Sequence, residues 1–448
     1  MERIDNYKSK YKIIFIIGIF LLPSAPFFAA IFLLISFIIS FLNNGFLLIK
    51  DKWNYLFIIT GILMLLVSTV HYFKYENLEI FQNYFDPISS SDKTNVLQRK
   101  SFSSFIGLAN WIPLFFCFIG FQPYIKSRQD RKIIMKTFIA GSVPVLFSGF
   151  SQYFFNLHGP FEIFNGLIIW FQRPNVNLVG LFNNQNYTGC WLNIVWPFSL
   201  AIFSEKTRNI FRKSSSIIFI ISISVASFLT FSRNAWGGLL LTIPLVLGTT
   251  TLNWFIPFVT SFIILIILKS NHLLPQSLEE ILNTLLPARF DIFTQFSPAD
   301  YKGIDKRITI ISFALKMILQ NPLLGWGAAS FPIYYLIYSD VYKGHAHNLF
   351  IDISFNYGLI VSVLIFTNIL TILFITFKKI YINSNKFSTN YFERAWFTSF
   401  IVLFLSQMFD VQYYDWRISI TFWILLAGLK CMFNEDSENK SYTNLQIS

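Results

Sequence analysis

The chain has 448 residues, of which 54% are hydrophobic and only 13% charged, with a formal net charge of +12. A soluble domain carries roughly 25% charge, so this composition excludes a soluble enzyme and makes the bilayer the expected solvent. The positive charge is dispersed among the connections between apolar segments, which suits anionic lipid headgroups and excludes nucleic acid as the partner.

A spanning helix needs about 20 apolar residues. Runs of that kind fall near 12–24, 27–43, 53–71, 102–122, 132–155, 187–203, 215–230, 235–249, 252–268, 347–376, 395–410 and 416–431. The expected fold class is therefore all-α integral membrane, with about twelve transmembrane helices. Pro23 and Pro26 make the first two a tight hairpin, whereas a cleaved signal would need a small-residue cleavage site, so no segment is expected to be removed. Lysine and arginine set the expected orientation. With the N-terminus inside, the inner connections hold Arg3, Lys8, Lys10 and Lys12, then Lys50 and Lys52, then Lys126, Arg128, Arg131 and Lys132, then Lys206, Arg208, Arg212 and Lys213, then Lys378, Lys379, Lys386 and Arg394. Short outer connections hold isolated arginines only, Arg173, Arg233 and Arg417. Both termini are expected in the cytoplasm.

Residues 1–448 read as one polytopic membrane domain, without an internal repeat, and 269–346 as its one large outer loop. Short helices are expected in that loop over Ser277–Leu286 and Asp305–Gln320. The stretch Ile308–Leu319 is too short to span and carries Lys316, so it is expected to lie along the membrane face or pack over the bundle. Asn321-Pro322 ends it, because proline disfavours helix at the preceding residue. Cys117 and Cys190 sit inside spans and Cys431 at an inner boundary, so no disulfide framework is expected.

Four polar clusters fall on the outer side: RPNVNLVGLFNNQN over Arg173–Asn186, TFSRNAWGG over Thr230–Gly238, Arg307 with NPLLGWG over Asn321–Gly327, and HAHNLF over His345–Phe350. Boundary arginines commonly anchor helices by snorkelling, asparagines turn the chain, and Trp326 could sit at the interface. The set is stronger than its members. His345 and His347 would project on one side of an extended segment, but zinc wants a third protein ligand, and Asp352 is expected on a different face. The carboxylates of Glu279, Asp291, Asp300, Asp305 and Asp340 are scattered, with no Asp-x-Asp to hold magnesium. Nucleotide-cradling glycine motifs are missing. Metal-free chemistry with no cofactor is the expectation.

Arginine binds phosphate oxygens bidentately and stays charged at any accessible pH. Two or three of them in a low-dielectric cleft suit a lipid-linked diphosphate whose leaving-group charge grows during transfer. A histidine is the natural base for an acceptor hydroxyl near neutral pH, and the N-terminus of a helix starting at Asn348 would favour an anion at the same place.

The order of Arg173, Gly180-x-Phe182-Asn183-x-x-Asn186, Ser232-Arg233, Arg307, Pro322-Leu323-Leu324-Gly325-Trp326-Gly327 and His345-Ala346-His347-Asn348-x-Phe350 resembles the O-antigen ligase and O-antigen polymerase superfamily, over about residues 165–375. The resemblance implies a glycosyltransferase type C-like fold in the bacterial inner membrane and a large periplasmic loop. It implies transfer of a glycan from undecaprenyl diphosphate to a glycan or lipid acceptor hydroxyl on the periplasmic side, as in lipopolysaccharide biosynthesis, without metal or nucleotide. By matched motif, Arg173 and Arg233 would grip the diphosphate with Arg307 in support, Asn183, Asn186 and Asn348 would line the substrate site, and His347 would be the base, with His345 second. Where many relatives have proline before the last motif asparagine, this chain has Gln185. A polymerase joining repeat units uses the same motifs. A transporter of a small anion is the reading from another class, but it would place charges along a midplane pathway and repeat half-helices in both halves.

Overall fold

The structure is a computed structural model that describes residues 2–76, 104–157, 159–166, 168–170, 177–205, 209–285, 307–339, 341–383 and 390–447. It is a helical bundle. The helices used below are α1 (Glu2–Leu21), α2 (Pro26–Lys50), α3 (Lys52–Glu76), α4 (Ile112–Phe121), α5 (Arg128–Gly141), α6 (Val143–Phe155), α7 (Gln185–Ser204), α8 (Ile210–Leu229), α9 (Arg233–Leu247), α10 (Leu252–Ser270), α11 (Gln276–Leu285), α12 (Arg307–Gln320), α13 (Phe331–Ser339), α14 (Leu349–Tyr357), α15 (Leu359–Phe377), α16 (Tyr391–Ser406) and α17 (Trp416–Ile447). Within the described residues the twelve apolar segments lie largely on helix, and six stretches are long and apolar enough to cross a membrane: Pro26–Gly45, Lys52–Phe73, Ser104–Tyr124, Arg128–Phe155, Leu252–Lys269 and Leu359–Ile382. Large apolar side chains stand outward on these helices, among them Leu34, Leu42, Leu66 and Phe258. An apolar surface of that extent is stable only against lipid.

Helix α7 is the centre. Every residue from Thr188 to Ala201 is buried, and the helix packs against α8, α9 and α16. A helix apolar all round has no face to give to solvent, so it takes the middle of the bundle. The three fully buried tryptophans among the described residues bring a polar N–H with them and each finds an acceptor: Trp191 donates to Ser142 Oγ at 2.9 Å, Trp396 to Leu425 O at 2.9 Å and Trp423 to Tyr413 Oη at 2.8 Å.

The two ends of the bundle differ chemically. At one end Lys12 pairs with Asp130, Lys132 with Glu205, Arg128 with Glu393 and Lys430 with Asp51. These residues come from the starts of α5 and α16, the end of α7, the junction of α2 with α3, and the helices α1 (Lys12) and α17 (Lys430). The opposite end collects the starts of α7, α9, α14 and α17 with the end of α16, and here the polar motifs meet.

Two expected helices are broken. The segment 132–155 divides into α5 and α6 at Ser142, with Pro144 in the first turn of α6. The segment 347–376 is α14 and α15, separated at Gly358, whose φ is +86°. A side chain there would place its Cβ 2.1 Å from the Leu323 carbonyl oxygen, because the NPLLGWG loop lies against this break and Leu359 N–H donates to Pro322 O at 2.7 Å. The same loop donates Trp326 N–H to Phe355 O at 2.7 Å and Gly327 N–H to Asn356 O at 3.1 Å. Trp326 Nε1 donates to Met317 O at 2.7 Å, so this side chain faces protein and ties α12 to the loop. Of the two placements open to Ile308–Leu319, it takes the second and packs over the bundle: Ile310, Phe313, Ala314 and Ile318 form a small core with Phe331, Tyr335, Ala346 and Phe355. The expected loop helices appear as α11 and α12, joined by an unforeseen α13.

An all-α fold is the expectation, and the structure adds one antiparallel hairpin, β1 (Phe161–Ile163) with β2 (Ile168–Trp170). Strands of three residues are too short to show a period, although Asn165-Gly166 between them is a hairpin signal.

Candidate active site

The site is organised by the loop that leads into α14. Asn348 caps that helix, its Oδ1 accepting from Ile351 N–H at 3.1 Å, while its Nδ2 donates to Met408 O at 3.0 Å. Both functions of the amide are engaged with backbone, so Asn348 fixes where the loop sits against the turn after α16. Ala346 is fully buried, and its N–H donates to Asp352 Oδ1 at 3.1 Å, which folds the loop over the first turn of its own helix.

Between these anchors His347 has φ +57°, a left-handed conformation rare for a residue with a side chain and found where the surroundings impose it. Its N–H donates to His345 Nδ1 at 3.2 Å, and the two rings meet edge to face at 4.6 Å. Its Nδ1–H donates to Asp410 Oδ1 at 2.8 Å. These bonds set the tautomers: His345 accepts at Nδ1 and carries its proton on Nε2, whereas His347 carries its proton on Nδ1 and keeps Nε2 as a lone pair. Burial, then the neighbouring His347 and Arg307, push the His345 pKa down to about 4, with Asp410 opposing. His345 is thus neutral. Asp410 lies in the turn between α16 and α17. Burial raises its pKa, but the His347 hydrogen bond, the two imidazoles and Arg307 outweigh that and leave it below the ordinary value, as an anion.

Asp410 is the hub. Its Oδ2 accepts from Asn186 Nδ2 at 3.0 Å and from Gln412 Nε2 at 3.3 Å. Gln412 Oε1 accepts from Ser406 Oγ at 2.8 Å, which in turn accepts from Asn234 Nδ2 at 3.0 Å. This chain links His347 to the residue after Arg233. Arg233 itself is the first residue of α9 and is exposed; Arg307 begins α12, is also exposed, and its charge is felt at both His345 and Asp410. Arg173 lies outside the described residues.

The segment before α7 is held from two sides. Gln152 Oε1 accepts from Val179 N–H at 2.9 Å and Gly180 N–H at 3.0 Å, Gly180 being left-handed at φ +57°. Arg417 donates to Leu181 O at 2.9 Å, lies 3.9 Å over the Phe182 ring and is steadied by Asp415, to which its Nε donates at 2.8 Å. Asn183 is left-handed at φ +50° and leaves a buried Oδ1 with no hydrogen-bond partner. Asn184 caps α7, which starts at Gln185. The proline of the relatives would occupy that first helical position, where it is favoured, so glutamine leaves the helix start in place.

One expectation is overturned. A third metal-ligand type was expected to be missing beside the histidines, yet Asp410 brings ligand atoms of His345, His347 and Asp410 within 4.8 Å of one another. The trio is of the kind that can hold a cation, although both histidine Nδ1 atoms already have partners.

Residues 217–366 match the family model for O-antigen ligase. This segment belongs to the O-antigen ligase superfamily. No curated protein matches the chain. The O-antigen ligase match spans Arg233, Arg307, His345, His347 and Asn348 but stops short of Asn183, Asn186 and Asp410. With the apolar helices, it makes this a multi-pass membrane protein. Sequence reasoning missed Asp410, Gln412 and Asn234. The signal was present in SQMFDVQYYDWR, a turn between two apolar helices that carries Gln407, Asp410, Gln412, Asp415 and Arg417 within a few residues.

Proposed function

We propose that this chain is a metal-independent transferase that moves a glycan from undecaprenyl diphosphate to a hydroxyl acceptor at the periplasmic face of the bacterial inner membrane, in the manner of an O-antigen ligase. The observation that carries this reading is the His347–Asp410 pair, because an imidazole held by a carboxylate at Nδ1 offers Nε2 as a general base. His347 Nε2 takes the acceptor proton, the acceptor oxygen forms its bond to the anomeric carbon, and the bond from that carbon to the diphosphate oxygen breaks with its electron pair. The ionised Asp410 balances the imidazolium. Arg173, Arg233 and Arg307 offset the charge that grows on the leaving diphosphate. Asn183, with its buried unpartnered carbonyl, is the amide suited to a donor hydroxyl, while Asn186 and Asn348 act by holding Asp410 and the loop.

Among the described residues the charged groups of the candidate site gather at one end of the bundle, which favours transfer over transport of a small anion. Polymerisation of repeat units would use the same groups with a glycan acceptor. The metal-independent part of the reading rests on the two occupied Nδ1 atoms, since a cation bound at either would displace a bond that sets the catalytic tautomer. His347→Ala should lower transfer by about 10²- to 10⁴-fold while membrane insertion and donor binding persist, and a chelator should leave the wild-type rate unchanged. Transfer that survives His347→Ala removes the base from this residue, and transfer that stops with chelator restores the metal to His345, His347 and Asp410.

A further inference from the structure

The histidine loop and the turn between α16 and α17 are tied together on both sides of the His347–Asp410 pair. On one side the ties are direct: Asn348 Nδ2 donates to Met408 O at 3.0 Å, and Leu349 N–H donates to Gln407 O at 2.9 Å. On the other side the link runs through a single carboxylate. Asp352, in the first turn of α14, accepts from Ala346 N–H at Oδ1, 3.1 Å away, and from the Tyr414 hydroxyl at Oδ2. Ala346 immediately precedes His347, and Tyr414 follows Asp410 by four residues. Both members of the pair are bracketed, and Asp352 supplies one of the two brackets.

The same carboxylate reaches the NPLLGWG motif. Asn356 Nδ2 donates to Asp352 Oδ2 at 3.2 Å, and the Asn356 carbonyl accepts from Gly327 N–H at 3.1 Å. A buried carboxylate is unfavourable unless donors surround it, and the donors here come from the histidine loop, from α14 itself and from the turn after α16. Asp352 is 2% exposed, so it acts through these partners and not on substrate. Its effect falls on His347. The left-handed φ of +57° at that residue is strained, and such a conformation persists only where the chain on both sides is fixed. With Ala346 released, His347 relaxes to negative φ and its ring turns away from Asp410.

We propose that Asp352 is a positioning residue for the transfer: with Tyr414 it holds His347 left-handed, so that Nδ1–H stays on Asp410 and Nε2 stays open to the acceptor. The proposal rests on the transferase reading for what His347 does, but not for how its ring is held. Tyr414→Phe removes only the hydroxyl donor. Asp352→Asn keeps an oxygen for Ala346 N–H but turns an N–H₂ toward the Asn356 donor. Tyr381→Phe is the control, since it removes a hydroxyl that donates to Leu245 O at 2.9 Å at the far end of α15.

The test is ¹⁵N NMR of histidine-labelled, full-length protein in detergent micelles at mildly alkaline pH, beside steady-state transfer on the same preparations. The His347 signals are those lost in His347→Ala. They should report the Nδ1–H tautomer in the wild type and in Tyr381→Phe, and a mixture with the Nε2–H tautomer in Tyr414→Phe and Asp352→Asn. Tyr414→Phe should lower kcat about threefold to tenfold, as loss of one hydrogen bond allows, with both KM values unchanged. Added to His347→Ala, it should cost nothing further. Unchanged His347 signals in both variants, wild-type kcat in Tyr414→Phe, an equal loss in Tyr381→Phe, or losses that multiply with His347→Ala each overturn the proposal. The tautomer change in a protein with no transfer activity upholds the positioning and removes the transferase reading, so the two failures are distinct.

Discussion

Asp410→Asn is the sharpest probe of the catalytic reading. The carboxylate is a hub with three hydrogen-bonded partners, His347 at 2.8 Å, Asn186 at 3.0 Å and Gln412 at 3.3 Å, and its side chain is 11% exposed. Asparagine keeps the shape and can still offer an oxygen to His347 Nδ1–H, but it loses the charge that balances an imidazolium and turns an N–H₂ toward two amide donors. A charge-assisted hydrogen bond contributes about 1.5–3 kcal/mol, which at about 1.4 kcal/mol per decade is roughly a tenfold to 150-fold loss in kcat. The loss has a ceiling. If Asp410 acts only through His347, it cannot exceed the full general-base contribution of about 10² to 10⁴. The assay is steady-state transfer from a lipid-linked donor by purified protein, with Asp410→Asn, His347→Ala and the double variant side by side. The kcat of Asp410→Asn should fall within that range with the donor KM little changed, and the double variant should equal His347→Ala. Losses that multiply in the double variant, or full activity in Asp410→Asn, refute the dyad.

Arg233→Lys should cost about tenfold to a hundredfold in transfer, because an ammonium lacks the fork that grips a diphosphate; full activity at normal protein levels would leave Arg233 a snorkelling anchor. The folded-state pKa of His345, about 4, lies below its ordinary 6.5, so the unfolded chain takes up a proton before the folded one as pH falls. Stability from this group is therefore flat above pH 6.5 and declines between pH 6.5 and 4 by up to about 3 kcal/mol, a slope that melting curves of His345→Asn should lack. Gly358→Ala should lower stability by more than about 3 kcal/mol, since it combines a left-handed residue bearing a side chain with a backbone clash against Leu323 O. A Gly358→Ala protein that melts with the wild type would show that the break between α14 and α15 does not depend on glycine.

The sequence by itself determined the class of the protein and the placement of its helices, because apolar length, proline stops and capping asparagines act within a few residues. The helix start at Asn348 and the end of α12 before Pro322 were legible for that reason. So was the gathering of polar motifs on one side, since the alternation of basic connections orders the helix ends along the chain. The pairings were left to the tertiary structure. His347 meets Asp410 across 63 residues, Asn186 meets it across 224, and Arg417 reaches Leu181 across 236. No local propensity encodes such contacts; they follow from α7 packing between α9 and α16, which brings the start of one helix to the end of another. The break at Gly358 is of the same kind, since a long apolar run reads as one helix until the loop from Pro322 to Gly327 is laid against it and only a residue without a side chain can pass.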